Sequence, residues 1–296
     1  MRERAIARLT SEVLGGAREF LVGHGFVELL PVVLAPVTDP LRTVPDRIVV
    51  WAYGQEWHLT RSMIFHKQAA VRVLPKIFTF SPNIRLEAAE RAQTGRHLFE
   101  FVQLDLEVRH ATREEVMDFG ERLIVHVLER VRERCAAELR ALGRQLPRWA
   151  PPFPRVAWSA AVARYGEEFE AALSQESGAP VWVVDFPIHA REFYDREDPH
   201  RPGFLVDMDL VYPEGYGEAL SGGEREYLRP RIEKRIRAQG LDPAAFDPYL
   251  ALAEEGLYPS AGFGIGVERW IRFLGGLSHI QETRLFPRVP GWPVRL

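Results

Sequence analysis

In Ser260-Ala-Gly-Phe-Gly-Ile-Gly-Val-Glu-Arg269 a glycine stands at every second position, 262, 264 and 266, with Phe263 and Ile265 between them. A strand places the three glycines on one face and the two apolar side chains on the other. The chain therefore needs a sheet with one packed face and one bare face. A flat base or a second backbone can lie on such a trough, and tight sheet–helix packing would use the same glycines. The spacing is not the G-x-G-x-x-G of a dinucleotide fold. Arg269 follows where a helix opens, and a guanidinium beside free backbone N–H groups suits phosphate.

The other elements fit a sheet of that kind. Residues 3–23 read as an amphipathic helix carrying Ile6, Leu9, Val13, Leu14 and Phe20, and Phe26–Leu34 as a buried strand broken by Pro31. Thr60–Val73 reads as a helix, and Ile77–Glu87 and Phe99–Val108 as a strand pair. Thr112–Leu146 reads as one long helix with a capping pair, Thr112 and Glu115, ended by Pro147, Pro151, Pro152 and Pro154. Strands are expected at 181–186, 204–212 and 216–223, then two helices, the strand 260–266 and a helix at 268–275. Strands come in neighbouring groups, so the expected class is α+β, with helices flanking an antiparallel or mixed sheet in one domain over 1–296.

Composition narrows the function classes. Hydrophobic residues make up 46% and charged residues 27%, which excludes disorder and a disulfide scaffold, and no apolar run approaches a membrane span. A cytoplasmic location is expected. The single cysteine, Cys135, forms no internal disulfide, and a net charge of −3 argues against broad electrostatic binding to nucleic acid. Lys67, Lys76 and Lys234 are the only lysines among 38 basic residues.

Four constellations can carry chemistry. Alternation puts Ser81, Asn83, Arg85 and Glu87 on one face of the first strand of the pair, and Phe101, Gln103, Asp105 and Glu107 on one face of the second. A solvated face with ordinary salt bridges gives the same pattern, but Phe101 interrupts the polar row where a planar ligand can stack. The second constellation is the glycine run with Arg269. The third is Tyr216-Gly-Glu218-Ala-Leu-Ser221-Gly-Gly-Glu-Arg225, where Glu218 and Ser221 offer oxygens to Mg²⁺ and Arg225 can clamp a carboxylate. Glu218 and Ser221 have opposite strand parity, so both face inward only if Gly222-Gly223 marks a bulge. The fourth, Arg61 to Gln68, carries His66 and Lys67. His58, His97 and His189 lack metal-ligand spacing, so no zinc site is expected.

The order of these segments resembles the class II aminoacyl-tRNA synthetases. Asn83-Ile-Arg-Leu-Glu87 with Arg96-His-Leu-Phe-Glu-Phe101-Val-Gln-Leu-Asp105 is similar to motif 2. Gly262 to Arg269, followed by Gly276-Leu-Ser-His-Ile and Phe286-Pro-Arg288, is similar to motif 3 of the aspartyl/asparaginyl branch, and Phe26-Val-Glu-Leu-Leu-Pro31 to motif 1. Motif 1 begins almost at once, so no anticodon-binding OB-fold is expected. Ser62 to Gln68, Arg191 to Glu197, Gly215 to Glu218, Ser221 to Glu226 and Pro259 to Gly262 resemble the archaeal-type asparagine synthetases related to asparaginyl-tRNA synthetase. At Ser260-Ala261 the tRNA-charging enzymes usually carry His-Gly, and at Met63-Ile64 usually Pro-Gln. Gln281 stands where the branch commonly has arginine.

The resemblance implies an antiparallel sheet of six or seven strands and a homodimer through motif 1. It assigns ATP to Arg85, Glu87, His97, Phe101, Glu218, Gly266 and Arg269, with Arg85 and Arg269 catalytic. Glu87 would read the adenine amino group and Phe101 would stack on the base. Ser62, Lys67, Gln103, Asp105, Arg191 and Arg225 would bind aspartate, and Glu218 and Ser221 would hold Mg²⁺. The implied activity is an AMP-forming asparagine synthetase: aspartate, ATP and ammonia give asparagine, AMP and pyrophosphate through an aspartyl-adenylate. The alternatives are transfer of activated aspartate to tRNA or another amine, and a non-catalytic binding paralogue. No tRNA partner is expected on the implied main activity.

Overall fold

The computed structural model describes residues 2–293 apart from Thr43 and Pro45. Helix α1 (Arg2–Gly23) is followed by two short strands, β1 (Val27–Glu28) and β2 (Leu34–Ala35), then by the hairpin β3 (Val49–Ala52) and β4 (Gln55–Leu59). Helix α2 (Ile64–Ala70) precedes the long pair β5 (Lys76–Ile84) and β6 (Glu100–Arg109). Next come α3 (Arg113–Arg134), α4 (Ala136–Leu142), β7 (Arg155–Ala157), α5 (Trp158–Tyr165) and α6 (Phe169–Glu176). Strands β8 (Val181–Val184), β9 (Asp207–Tyr212) and β10 (Gly217–Glu224) lead to α7 (Arg229–Ala238) and α8 (Asp247–Gly256). The chain ends on β11 (Ser260–Gly266) and α9 (Val267–Gly275).

Eight strands form one sheet in the order β1-β5-β6-β11-β10-β9-β8-β7, rather than the six or seven expected. The six central strands are antiparallel; the edges differ, because β1 runs parallel to β5 and β7 parallel to β8. Both edge strands are two or three residues long, too short to carry an alternating pattern. A second, three-stranded sheet, β2-β4-β3, was not anticipated. The run 26–34 is therefore divided between two sheets. The helix expected over 60–73 forms only at Ile64–Ala70. The helix expected over 112–146 carries its Thr112–Glu115 capping box but breaks at Cys135, which leaves the helical region at φ −112°.

One face of the large sheet is dry. Leu104 and Leu106 of β6, Phe263 and Ile265 of β11, and Leu210 and Leu220 pack there with Leu9 and Val13 of α1, Leu123 and Val127 of α3 and Trp270 and Phe273 of α9. Full burial of each such side chain is worth about 1.5–3 kcal/mol. A smaller cluster joins Phe65 of α2, Phe193, Ile232 and Ile236 of α7 and Tyr249 of α8 beside the other face. Among the described residues no helix is long and apolar enough to cross a membrane.

At Gly262 the missing side chain is demanded by backbone proximity. A Cβ at Gly262 would lie 2.2 Å from the Leu106 carbonyl oxygen and 2.9 Å from Glu107 Cα, in the middle of the sheet. Gly262→Ala should cost about 3 kcal/mol in urea denaturation, while Gly23→Ala, where nothing lies within 4 Å, should stay within about 0.5 kcal/mol. Equal effects would refute this packing.

Candidate active site

Strand β6 forms the floor of the site. Its register sets Gln103 between Ser81 and Gly266, Asp105 between Thr79 and Gly264, and Glu107 between Ile77 and Gly262. The glycine trough is thus only partly open. A Cβ at 262 would meet Glu107 Oε2 at 2.3 Å, and one at 264 would meet Gln103 Nε2 at 2.7 Å. Two of the three glycines make room for buried polar side chains of β6. Gly266 alone of the three reaches the first of two adjoining pockets.

That first pocket collects Arg85, Glu87, Arg96, His97, Phe101, Gln103, Glu218, Gly266 and Arg269, so every residue expected to touch ATP lies around one cavity. Arg85 leaves the end of β5, stacks its guanidinium 5.0 Å from the Phe101 ring centre, and donates to the Arg61 carbonyl at 3.1 Å and Gln103 Oε1 at 3.2 Å. It makes no ion pair with a carboxylate among the described residues. Arg269, on the first turn of α9, pairs with Glu218 at 3.0 Å. Burial pulls the Glu218 carboxyl upward, but Arg269, Arg96 and Arg191 outweigh it and hold it below its usual value. Burial, reinforced by Arg269, Arg91 and Arg96, lowers His97 to about 4, so its imidazole is neutral at pH 7.

The second pocket shares Arg85, Gln103 and Glu218 with the first and adds Ser62, Lys67, Asp105, Arg191, Ser221 and Arg225. It brings together all the residues expected to bind aspartate. Its three cations, Lys67, Arg191 and Arg225, are each engaged by two protein carboxylates. Lys67 Nζ lies 2.9 Å from Asp105 and 3.8 Å from Glu107. Arg225 lies 3.2 Å from Glu107 and 3.0 Å from Asp195. Arg191 lies 2.9 Å from Asp207 and 2.6 Å from Asp209. Asp105 Oδ2 is buried without a hydrogen-bond partner, as a contact for a substrate ammonium would require.

Glu218 and Ser221 do face the same cavity, by a route other than the one expected. The bulge lies between Glu218 and Leu220, where Glu218 pairs with Val211 and Leu220 with Leu210, and not at Gly222-Gly223. Ser221 is opposite Asp209, whose Oδ1 is buried and unpartnered and whose carboxyl is pushed up by burial. Two carboxylates and a hydroxyl suit Mg²⁺ that arrives with phosphate, since this ion keeps much of its shell from water and substrate.

Several residues around the site were given no role by the sequence. Asp39 lines the second pocket, accepts from Tyr194 at 2.8 Å, and is raised to about 6 by burial and by Glu192. Arg61, 2% exposed, donates to the carbonyls of Asp39, Pro40 and Leu41 and so straps residues 39–41 over the pocket. Glu170 reaches the backbone N–H of Glu218 from α6, a helix that was not anticipated. These contacts span 20 to 155 positions, beyond the range of any local pattern.

Glu107, fully buried, serves Lys67, Arg225 and the Ser260 hydroxyl, which donates at 2.8 Å. Glu107→Ala should cost about 3–5 kcal/mol by thermal or urea unfolding, since it empties a buried site and takes one of two carboxylates from each of two buried cations. A loss under about 1 kcal/mol would show that Glu107 does not hold the site together.

The family described as tRNA synthetases class II (D, K and N) matches residues 1–290. The asparagine–tRNA ligase of Symbiobacterium thermophilum is 32% identical over 311 residues, covering 97% of this chain and 70% of that protein. The asparaginyl-tRNA synthetase of Pyrococcus horikoshii, solved with asparaginyl-adenylate, superposes with a TM-score of 0.90 at 28% identity, over 99% of this chain and 70% of that one. The Entamoeba histolytica asparaginyl-tRNA synthetase shares the fold, with a TM-score of 0.87 at 24% identity over 99% of this chain and 69% of that one. None of these relatives is an asparagine synthetase by name, and their names give no support to the expectation that tRNA is not a partner. From residue 1 to residue 290, the chain belongs to the class II tRNA synthetases of the D, K and N family, in the asparagine–aspartate branch.

Proposed function

We propose that this chain is an ATP-dependent ligase that converts asparagine or aspartate into an acyl-adenylate and passes the acyl group to tRNA or another acceptor. The observation that carries this reading is the meeting of the two pockets at Arg85, Gln103 and Glu218. A carboxylate held in the second pocket attacks the α-phosphorus of ATP in the first. Its oxygen–phosphorus bond forms, the bond to the bridging oxygen breaks, and pyrophosphate leaves. Arg85, with no carboxylate partner among the described residues, stabilises the negative charge that grows on the α-phosphate. Phe101 stacks on the base, Glu87 accepts from its amino group, and Arg269 and neutral His97 hold the leaving phosphates. Glu218 and Ser221 would hold Mg²⁺, which supplies charge neutralisation when bound with ATP. Asp105 Oδ2 takes the amino acid's ammonium. On this proposal residues 1–296 act as one catalytic unit, paired into a homodimer through the motif 1 segment. Leu30, 91% exposed, and the exposed Val27, Val33 and Leu34 support that pairing.

The charge balance favours asparagine. Lys67, Arg191 and Arg225 are each neutralised by two protein carboxylates, so a neutral amide side chain leaves less unpaired charge than a second carboxylate. A second reading, synthesis of asparagine from aspartate and ammonia, draws on two particular residues. Ser260 hydrogen-bonds Glu107 and Ile64 packs with Phe65, at the positions where tRNA-charging enzymes usually carry His-Gly and glutamine.

Amino-acid-dependent ATP–pyrophosphate exchange tests the adenylation step, and Arg85→Ala should lower it about a hundredfold. Exchange with asparagine and not aspartate supports the first reading. Exchange with aspartate, followed by ¹⁵N-asparagine on adding ¹⁵N-ammonium, supports the second. No exchange with either amino acid rejects both.

A further inference from the structure

Helix α6 grips the β9–β10 turn at the outer edge of the nucleotide pocket. Glu170 and Ser174 stand four residues apart on one face of that helix. Ser174 Oγ accepts from the Gly217 N–H at 2.9 Å and donates to the Tyr212 carbonyl at 2.6 Å, and the Ser174 carbonyl accepts from the Gly215 N–H at 3.0 Å. Glu170 Oε1 accepts from the Glu218 N–H at 3.0 Å, and the same oxygen receives the Arg96 guanidinium. Arg96 belongs to the loop after residues 89–94 and lines the pocket beside His97, with its Nε buried and unpartnered. These groups meet only because residue 217 is glycine. Its φ is +74°, and a Cβ there would fall 2.6 Å from Arg96 Cζ and 2.8 Å from Glu170 Oε1.

We propose that Glu170 is a positioning residue for the nucleotide pocket: it ties the loop carrying Arg96 and His97 to the start of β10 carrying Glu218, and so sets the phosphate end of the cavity. The proposal rests on the ATP reading above. An isolated half-exposed salt bridge contributes little. Here one oxygen holds a guanidinium and a backbone N–H that lie 122 positions apart, from two different walls of the same cavity. Ser174 fixes the turn independently, so exchanging the Glu170 carboxylate for an amide loosens the loop without opening the core. Glu170 touches no reacting atom; it acts through Arg96 and Glu218.

The test uses the full chain with Glu170→Gln, Arg96→Ala and the double variant. ATP binding with Mg²⁺ is followed by titration calorimetry, and both KM values by pyrophosphate exchange. Glu170→Gln should weaken ATP about tenfold, as expected for loss of a charge-assisted bond, with the amino-acid KM and kcat within about twofold. The double variant should bind ATP no more weakly than the poorer single variant, because both remove one linkage. A thermal midpoint close to that of the unaltered chain shows that the fold is intact. Unchanged or tighter ATP binding by Glu170→Gln, additive losses, or equal rises in both KM values would overturn the proposal. If the unaltered chain binds ATP without supporting exchange, the ligase reading fails while the binding measurements still decide the role of Glu170. An unaltered chain that binds no ATP overturns both.

Discussion

The wall of the second pocket depends on one buried carboxylate. Glu107 lies at the centre of the sheet, fully enclosed, between Lys67 of α2, Arg225 after β10 and Ser260 of β11. Removing such a charge from water is costly, and only the surrounding cations and the hydroxyl make it tolerable. In return those three elements have little freedom to shift relative to β6. Asp195 and Asp105 complete the set, so the wall of the second pocket is a closed ionic lattice before any ligand enters.

The two pockets differ in how their charges are committed. In the second, the cations are matched by protein carboxylates, and the buried acceptors Asp105 Oδ2 and Asp209 Oδ1 have no hydrogen-bond partner among the described residues. In the first, among the described residues, Arg85 makes no ion pair and Arg269 pairs with a single, partly exposed glutamate. A polyphosphate can take over such guanidiniums at low cost. The neutral state of His97, enforced by burial and three neighbouring arginines, lets it meet phosphate as a hydrogen-bonding group. That asymmetry matches a neutral or zwitterionic ligand on one side and an anionic one on the other.

Much of this was legible in the sequence because it lies within single strands. Parity alone sorts Phe101, Gln103, Asp105 and Glu107 from Leu104 and Leu106, and the sheet obeys that sorting. Parity also required a bulge to bring Glu218 and Ser221 to one face, and a bulge is present at Ala219, three or four residues earlier than the glycine pair suggested. What parity could not show is which partner each charge meets. The pairs Arg225–Asp195 and Arg191–Asp207 were invisible for that reason, and with them the neutralisation of the second pocket. The short edge strands and the small sheet β2-β4-β3 escaped because two to five residues hold too little periodicity to register.

By itself the sequence determined the periodic features of this protein: the central strands, their dry and polar faces, the glycine alternation of β11 and the order of the motifs. Those follow from the backbone's own repeat of two or 3.6 residues, which any stretch of chain carries locally. Only the tertiary structure decided which charges neutralise one another, that Glu107 fills the trough at Gly262, and that Glu170 reaches Arg96 and Glu218 from a helix outside every motif. Electrostatic pairing depends on distance in space, and strands adjacent in the sheet, such as β6 and β11, are separated by more than a hundred positions along the chain.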